Sequence, residues 1–250
     1  AYYLLKDRYV ELSQKVLKIA LIVATVSSLA QLVTGHMSAD GVAENQPAKL
    51  AAFEGHFEAE APADLYIMGW VNKEKQEVKG IKIPGGLSFL VDWNLETPVK
   101  GLNAFPEDER PTALNSIFQF YHFMVAFGIL FIVITLFGTL QWWRGKIFTH
   151  RWFLWVLVFA VLLPQISNQF GWFAAEMGRQ PWVVYGLLRT SDALSQSVTA
   201  NHVLFSLIFF TLIYVILFIL FIYLLDKKIK AGPYDESEIE GRLQLKDIAE

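Results

Sequence analysis

The sequence predicts an all-α integral membrane protein with four transmembrane helices and a long extracytoplasmic loop between the first and the second. Of the 250 residues, 54% are hydrophobic and 18% are charged, whereas a soluble domain has roughly 25% charged residues. The apolar residues occur in long blocks, and a block of about 20 is long enough to cross a bilayer as a helix. Composition and block length therefore point to the same fold class.

The chain is predicted to divide into four segments. The first, residues 1–34, is a cytoplasmic amphipathic lead-in with the first transmembrane helix, and the second, residues 35–115, is an extracytoplasmic loop. The third, residues 116–226, contains three transmembrane helices, and the fourth, residues 227–250, is a cytoplasmic tail. A connection as long as this loop is unusual in a compact protein and points to a function.

The transmembrane helices are predicted from the apolar runs. The first run, from about Ile19 to Val33, follows a basic lead-in and is predicted to end at Gly35-His36. The other three spans are predicted, by length and composition, at about 116–140, 152–177 and 200–225. The charged residues 231–250 are predicted to form an exposed helix or to be disordered.

The long loop is predicted to be folded and to contain a short helix from Gln46 to His56, because Pro47 suits the first turn of a helix. Lys49 and Glu54 lie in this helix. Such residues are ordinarily solvated on a surface. Since the loop lies over the outer ends of the helices, a carboxylate there can also accept protons from an amphipathic donor that arrives from the bilayer.

Basic residues set the predicted orientation. Lysine and arginine cluster in the N-terminal lead-in, in the turn from Arg144 to Arg151 and from Lys227 to Lys230, all on one side of the predicted bundle. The positive-inside rule assigns that side to the cytoplasm. Both termini are therefore predicted to be cytoplasmic, with the long loop outside.

Composition also limits the chemistry. The net charge of −3 gives no indication of a nucleic-acid partner. The chain has no cysteine, which excludes disulfides, cysteine-ligated zinc, iron–sulfur clusters and thiolate ligation of haem within it. It begins with Ala1 and not with methionine, so we expect a processed chain or part of a larger one.

The most informative motif is G-W-F-A-A-E-M-G-R-Q-P-W, from Gly171 to Trp182. Trp172, Glu176 and Arg179 are spaced i, i+4 and i+7, which predicts one helical face. Ionisable groups at membrane depth usually mark functional sites. Two interpretations stay open: Glu176 and Arg179 form an ion pair at a helix end, or Glu176 ligates a metal or haem iron while Arg179 pairs with an anionic group.

Met124, in the second span, also has two interpretations. Methionine often fills gaps in helix packing, but it can also be a soft axial ligand that raises the potential of haem iron. His122 lies two residues away, about 200° around the helix, so the two side chains cannot bind one iron from the same side. His122 is interpreted as a hydrogen-bonded core histidine.

Several motifs together resemble subunit I of cytochrome bd quinol oxidase, in its C-terminal half from the sixth transmembrane helix onward. They are G-W-F-A-A-E-M-G-R-Q-P-W at 171–182, Y-G-L-L-R-T at 185–190, Q-P-A-K-L-A-A-F-E at 46–54 and M-V-A at 124–126. The four spans and the loop fit the family in order. The resemblance implies that residues 35–115 correspond to the family's quinol-binding "Q loop", of the short type.

The resemblance implies roles for the matching residues of the spans. Met124 corresponds to the methionine ligand of the low-spin haem b iron, and Glu176 to the ligand of the high-spin haem b iron. Trp172 corresponds to the tryptophan between haems that serves inter-haem electron transfer. Arg179 corresponds to the arginine beside the haems. At His122 some relatives have an arginine, so the role of this position stays open.

In the loop, Lys49 and Glu54 correspond to the lysine and glutamate linked to quinol binding and oxidation. The resemblance therefore implies a membrane-bound quinol:O2 oxidoreductase that oxidises quinol at the outer face. Electrons would pass through low-spin and high-spin haem b to a haem d, where O2 is reduced to water, and the reaction would contribute to the proton motive force. The implied location is the cytoplasmic membrane of a bacterium or archaeon.

The expected partners follow from the same resemblance. They are the N-terminal half of subunit I, as a separate chain or as residues outside this sequence, subunit II, a small accessory subunit, menaquinol or ubiquinol, O2 and the lipid bilayer. The N-terminal half would supply the remaining haem ligands and the acidic proton path.

Two other functions stay open from the sequence. One is an oxidase of the same kind that carries only haem b. The other is a transporter or assembly subunit in which Glu176 and Arg179 form a gating or structural pair. The sequence predicts no broken helix at the membrane midplane, a feature that many transporters have.

Overall fold

The computed structural model describes residues 1–195 and 197–233. The chain divides into two compact units, Ala1–Ala193 and Leu194–Glu250, each described here by itself. The α-helices α1 to α8 are Tyr2–Leu5, Val10–Asn45, Pro47–Glu54, Gly86–Asp92, Leu114–Trp143, Arg151–Ala160, Leu163–Gly178 and Ala200–Ala231. Two antiparallel hairpins pair β1 with β2 and β3 with β4; the four strands are Leu65–Asn72, Glu77–Ile83, Trp182–Val184 and Leu188–Arg189.

Four helical stretches of the described chain are long and apolar enough to cross a membrane, namely α2, the stretch that ends with α5, the α6–α7 pair, and α8. The prediction of a mostly helical membrane protein with four spanning helices is therefore confirmed, although the chain also contains the two hairpins. The residues between α2 and α5, 46–113, are called the connecting segment below. They contain α3, the β1–β2 hairpin, α4 and two short 3-10 turns at Leu102–Ala104 and Glu107–Glu109.

The first long helix does not end at Gly35-His36, as the sequence predicted, but continues to Asn45. A glycine inside a helix costs only about 1 kcal/mol relative to alanine, so Gly35 does not stop a helix that both flanks support. Pro47 stops it, because the residue before a proline is disfavoured in the helical conformation. Gln46 accordingly has φ −140° and ψ 59°. The short helix α3 begins at Pro47, as predicted, and ends at Glu54, two residues before the predicted end at His56.

The third span is interrupted, contrary to the expectation of unbroken helices. α6 ends at Ala160, and α7 begins at Leu163. Pro164 explains the break, because its ring lacks an N–H and collides with the carbonyl of the residue four positions earlier, which is Ala160. The predicted span of 152–177 is thus correct in extent but consists of two helices.

α5 and α8 extend beyond the predicted spans. α5 includes two residues before and three after the predicted 116–140, and α8 continues to Ala231. The sequence predicted that residues 231–250 form an exposed helix or are disordered. Residues 234–250 of this tail lie outside the part of the chain that the structure describes.

The β1–β2 hairpin was not predicted from the sequence. The strands pair from Leu65 with Ile83 to Asn72 with Glu77, with an irregularity between Tyr66 and Met68. Asn72 forms the turn, since its side-chain oxygen accepts hydrogen bonds from the backbone N–H groups of Glu74 and Lys75, both at 3.0 Å. An asparagine side chain that bonds to the backbone two residues on is a common turn device.

Three buried clusters stabilise the first unit; the smallest contains Leu50, Ala63, Leu87 and Val99, and the other two are larger. Of these two, one joins α3, the connecting segment, α5 and α7, and contains Ala51, Ala52, Phe53, Phe57, Val71, Leu102, Leu114, Ile117, Phe118 and Ala174. The other joins α1, α2 and α6 with the turn before α6, and contains Leu4, Leu5, Leu17, Leu21, Ile147, Phe153 and Leu154. The cluster that contains Phe53 fixes α3 against α5 and α7, and therefore positions the candidate site.

Hydroxyl groups join α2 to α5. The Thr25 hydroxyl lies 2.8 Å from the Thr139 hydroxyl and donates to the Thr135 carbonyl at 3.3 Å. The Ser28 hydroxyl lies 3.2 Å from the Thr135 hydroxyl. Small hydroxyl side chains are common where membrane helices pack closely, and this seam aligns α2 with α5.

Candidate functional site

α3 contacts the C-terminal end of α7 because Gly178 has no side chain. A β-carbon at Gly178 would lie 2.9 Å from Cε1 of Phe53 and 3.2 Å from Cγ of Lys49, distances at which atoms must move apart. The close approach brings α3, from the connecting segment, to the part of α7 that carries Glu176. Two helices far apart in the sequence thus form one wall of a pocket.

This pocket has a volume of about 140 Å3 and brings together three of the predicted site residues, Lys49, Glu176 and Arg179. Its remaining lining residues come from the start of α3, from α7 and from the β3–β4 hairpin, and are Gln46, Ala175, Trp182, Val183 and Tyr185. We call it the α3–α7 pocket. The hairpin follows α7 directly, so the G-R-Q-P-W part of the motif supplies much of the wall.

An ion pair is present in the pocket. Nη2 of Arg179 donates to Oε2 of Glu176 at 2.5 Å, and both side chains are about one-third exposed. Nε of Arg179 is buried without a hydrogen-bond partner in the described structure, and so is Nε1 of Trp182. Buried N–H groups are rarely left unpaired, so these two donors point to an acceptor group that the described residues do not provide.

Lys49 adds a positive charge to the same pocket. Burial lowers the pKa of the Lys49 ammonium, the nearby Arg179 guanidinium lowers it further, and the Glu176 carboxylate acts in the opposite direction. The ammonium also lies 5.6 Å from the centre of the Phe53 ring. The pocket thus offers two cationic groups, two unpaired N–H donors and one carboxylate, a donor set that fits an anionic carboxylate ligand.

Glu54 lies on the same short helix as Lys49 but in different surroundings. It is 2% exposed, and its Oε2 is buried without a hydrogen-bond partner in the described structure. Burial raises the pKa of the Glu54 carboxyl to about 8, although the nearby Tyr121 hydroxyl of α5 acts in the opposite direction. Glu54 is not among the residues that line the α3–α7 pocket.

Met124 lies on α5 at its contact with α7. A β-carbon at Gly171 would lie 2.6 Å from Sδ of Met124, so the thioether occupies space that any other residue at 171 would fill. The Ser167 hydroxyl donates to the Met124 carbonyl at 2.9 Å and ties the two helices at the same level. The glycine of the G-W-F motif therefore accommodates the predicted iron ligand.

Trp172 does not line the α3–α7 pocket. It is 57% exposed, and its ring meets that of Phe173 edge-on at 5.5 Å between centres. Of the three motif residues predicted to share a helical face, the structure brings Glu176 and Arg179 together and leaves Trp172 on an exposed apolar surface of α7.

His122 belongs to a row of polar side chains on α5 that binds the backbone of β1. Its Nδ1 lies 2.8 Å from the Phe118 carbonyl and its Nε2 2.7 Å from the Tyr66 carbonyl. Gln119 donates to the Gly69 carbonyl at 2.6 Å, and the side-chain oxygen of Asn115 accepts from the Val71 N–H at 3.0 Å. The interpretation of His122 as a hydrogen-bonded histidine is confirmed, and its side chain is half-buried.

Sequence reasoning missed Tyr121 and assigned no role to Trp182 or Tyr185. Tyr121 stands one helical turn before Met124, so an i, i+3 search for polar side chains around the predicted ligand would have found it. Trp182 is part of the quoted motif, and only the hairpin geometry shows that its indole N–H is buried beside the pocket. Among the described residues, no three histidine, aspartate or glutamate side chains group as a metal site.

Comparisons with known proteins agree with this architecture. A family model described as "Cytochrome bd terminal oxidase subunit I" matches residues 1–233. The chain is 38% identical over 235 residues to the putative cytochrome bd menaquinol oxidase subunit I of Bacillus subtilis (strain 168), covering 92% of this chain and 52% of that protein. It is 32% identical over 242 residues to the cytochrome bd ubiquinol oxidase subunit 1 of the same organism, with coverages of 93% and 52%.

A solved structure, the bd oxidase from Geobacillus thermodenitrificans, is also similar. The TM-score is 0.80 at 34% sequence identity, over 93% of this chain and 53% of that one. The chain spans about half the length of the relatives it matches.

Proposed function

Because the chain belongs to the cytochrome bd terminal oxidase subunit I family, we propose that it is part of a membrane-bound quinol:O2 oxidoreductase. Quinol would be oxidised at the outer face and O2 reduced to water, with a contribution to the proton motive force. When bound, two haems b and a haem d would supply the one-electron carriers and the oxygen-reducing centre. The observation that carries the proposal is the α3–α7 pocket, which gathers Lys49, Glu176 and Arg179 beside the helix that bears Met124.

Met124 would provide the thioether for the low-spin haem b iron. The space at Gly171 supports this role, since it lets a flexible thioether lie between α5 and α7. A thioether is a soft ligand that favours the reduced iron and so raises the potential. The second axial ligand would come from the N-terminal half of subunit I.

Glu176 would provide the carboxylate for the high-spin haem b iron. Its bond to Arg179 is compatible with this role, because a carboxylate has two oxygens and the guanidinium bonds to Oε2 alone. The unpaired N–H groups of Arg179 and Trp182 would hold an anionic propionate. Trp172, exposed on α7, would lie between haems and serve electron transfer.

Lys49 and Glu54 would act on the quinol. Lys49 would donate a hydrogen bond to a quinol oxygen from the pocket wall. Glu54 would accept a proton, and a carboxyl whose pKa of about 8 lies near the working pH is well matched to general-base chemistry. The release of that proton on the outer side would contribute to the proton motive force.

The remaining partners are proposed from the family and from the coverage of the relatives. The N-terminal half of subunit I would supply the other helices, and subunit II and a small accessory subunit would complete the complex. The complex would lie in the cytoplasmic membrane of a bacterium or archaeon, with both termini of this chain in the cytoplasm and the connecting segment outside.

The optical spectrum of the purified complex tests the proposal, together with a count of its polypeptides. We expect bands of haem b and haem d. Oxidase activity without a haem d band would select an enzyme that carries haem b alone, and a complex without any haem band would overturn the proposal. Met124→Leu should remove the low-spin haem b signal and leave the high-spin signal, whereas an unchanged low-spin signal would show that Met124 is not the ligand.

A further inference from the structure

One face of the β1–β2 hairpin is apolar and exposed. Successive side chains of a strand point to opposite faces, and Val71 points to the face that packs on the buried cluster between α3, α5 and α7. The opposite face carries four large apolar side chains that are exposed, namely Met68, Trp70, Ile81 and Ile83. Met68 lies opposite Ile81 across the ribbon, and Trp70 is 65% exposed. These four side chains are called the hairpin face below.

The hairpin face requires a partner. Full burial of one large apolar side chain contributes about 1.5–3 kcal/mol, so the exposure of four neighbouring ones to water is unfavourable. Contiguous apolar side chains on a surface mark contacts with another protein or with a membrane. The level of the hairpin along α5 decides between these two.

The spanning part of α5 defines the level of the membrane. Trp143 and Arg144 mark one end of it, because tryptophan and basic residues are typical of the membrane–water interface. The hydrocarbon core requires about 20 residues of helix, so it extends from there to about residue 123. His122 lies directly before this point, and Asn115 lies about 10 Å further out at 1.5 Å per residue. Residues 115–122 of α5 therefore cross the headgroup layer.

The hairpin lies in the same layer. At its apolar end the Tyr66 carbonyl is bonded to His122, at the hydrocarbon boundary, and Ile83 is at this end of β2. At its other end the turn has the sequence N-K-E-K-Q, at 72–76. Trp70 lies between the two ends. An apolar end, a tryptophan and a charged end in this order match the change from acyl chains to water across a bilayer surface.

One charged pair occurs at the apolar end, but its charges are neutralised. Nζ of Lys82 donates to Oδ2 of Asp64 at 2.5 Å, and Oδ1 of Asp64 accepts from the Gly85 N–H at 3.1 Å. Lys82 neighbours Ile83 along β2, so its side chain leaves the strand on the other side from the hairpin face. The pair therefore adds no net charge to the apolar surface.

α2 gives an independent measure of the same level. Residues 19–39, between Lys18 and Asp40, contain no aspartate, glutamate, lysine or arginine and are long enough for the hydrocarbon core. His36 lies in the last turn of this stretch, and the ring of Trp93, which follows α4, meets it edge-on at 5.5 Å between centres. Trp93 is 69% exposed. A second exposed tryptophan of the connecting segment thus lies at the membrane boundary.

We propose that the hairpin face is a membrane anchor. Met68, Ile81 and Ile83 enter the boundary between headgroups and acyl chains in the leaflet on the side of the connecting segment, and Trp70 lies among the headgroups. The partner of this surface is the lipid bilayer itself. Because Val71 belongs to the same buried cluster as Phe53 of α3, the anchor also sets the depth of α3 and of the α3–α7 pocket.

Spin labelling tests the anchor in the intact haem-loaded complex, reconstituted into bilayer discs of phosphatidylcholine and phosphatidylglycerol. The chain has no cysteine, so a nitroxide on Met68→Cys reports one position of it, and the complex without the substitution gives the background from other subunits. Power saturation, referred to nitrogen, measures collisions of the label with O2, which concentrates in lipid, and with a water-soluble nickel chelate. Lys75→Cys in the hairpin turn is the matched control.

The ratio of O2 to nickel collisions should be several-fold higher at residue 68 than at residue 75. Frequent nickel collisions at residue 68 would place the hairpin face in water and overturn the proposal. Infrequent collisions with both reagents would show that another polypeptide covers the face, and would overturn it as well. Ile81→Cys, the cross-strand neighbour, gives the same readout if Met68→Cys does not assemble.

The proposal stands or falls separately from the proposed function. It depends on α2 and α5 spanning the membrane and not on the oxidation of quinol. Collisions are measured without turnover, so an inactive complex still reports where the hairpin face lies. Conversely, a hairpin face in water would leave the haem spectrum and the oxidase assay as tests of the reaction.

Discussion

Met124 and Gly171 face each other where α5 packs on α7, and a β-carbon at residue 171 would lie 2.6 Å from the methionine sulfur. The absence of a side chain at 171 therefore determines where the thioether can lie. The two residues belong to different motifs, 47 positions apart in the sequence. Their contact links the proposed ligand of the low-spin haem to the helix that carries Glu176.

Gly171→Ala should displace Met124 and reduce the low-spin haem b signal relative to the high-spin signal. Adding a methyl group to a closely packed contact costs about 1–3 kcal/mol, which the flexible methionine would relieve by changing its rotamer. Reduced-minus-oxidised spectra of the purified complex measure the change. Gly128→Ala on α5 is the control, since a β-carbon there meets no atom within 4 Å. Equal spectra for the two variants would contradict the prediction.

Glu54→Gln should remove a pH dependence of stability. The pKa of Glu54 is raised from 4.5 to about 8 in the folded protein, so folding favours the protonated form. This contribution is complete below pH 4.5 and is lost as the pH rises to about 8, and by linkage it amounts to a few kcal/mol.

The midpoint of thermal unfolding, measured from pH 5 to pH 9, checks this expectation. The wild-type complex should lose stability relative to Glu54→Gln as the pH rises. Parallel curves for the two proteins would show that the carboxyl is not buried in its neutral form.

Thr25→Val should weaken the packing of α2 on α5. Valine keeps the shape of threonine but loses the hydrogen bonds to Thr139 and Thr135. Polar contacts between membrane helices contribute about 0.6 kcal/mol each and up to about 1.7 kcal/mol, so a loss in that range is expected on unfolding in detergent. The control is Thr34→Val on the same helix, because Thr34 bonds to carbonyls of its own helix at Ala30 and Gln31. A similar loss in both variants would argue against an interhelical role.

His122→Phe should loosen the β1–β2 hairpin from α5. Phenylalanine preserves the ring stacking on Phe118, whose centre lies 3.8 Å away, but leaves the Tyr66 carbonyl without its partner. An unpaired buried acceptor costs about 1–3 kcal/mol, and limited proteolysis of the turn after Asn72 should accelerate. His36→Phe, on α2 against Trp93, is the control. Unchanged cleavage in His122→Phe would mean that Gln119 and Asn115 suffice to hold the strand.

The sequence predicted what depends on local pattern and missed what depends on distant contacts. The four spans follow from apolar runs, and Pro47 correctly marked the start of α3. The effect of proline on helices would also have placed the break between α6 and α7 at Pro164. It would have extended α2 as far as Asn45, because Gln46 precedes Pro47. The stacking of Phe53 on Tyr121 joins residues 68 positions apart, so it could be found only once α3 was docked on α5.

The hairpin was missed for a related reason. β1 is partly exposed and irregular near Tyr66, so its alternation is weak. Its backbone is held by Asn115, Gln119 and His122. From the sequence alone, Gln119 and His122 look like polar residues that need a partner in the membrane, and Asn115 looks like the end of the loop. Their hydrogen-bond partner is strand β1. The polar residues of α5 do not predict the strand, and the strand does not predict those residues, until the fold brings them together.

The same three side chains have a consequence for association between molecules. A two-stranded ribbon exposes backbone N–H and C=O groups along its edges, where strands of other chains can add to it. Asn115, Gln119 and His122 bind backbone groups of β1 at Val71, Gly69 and Tyr66. A helix thus takes the place of a neighbouring strand, and β1 is protected from pairing with a second ribbon.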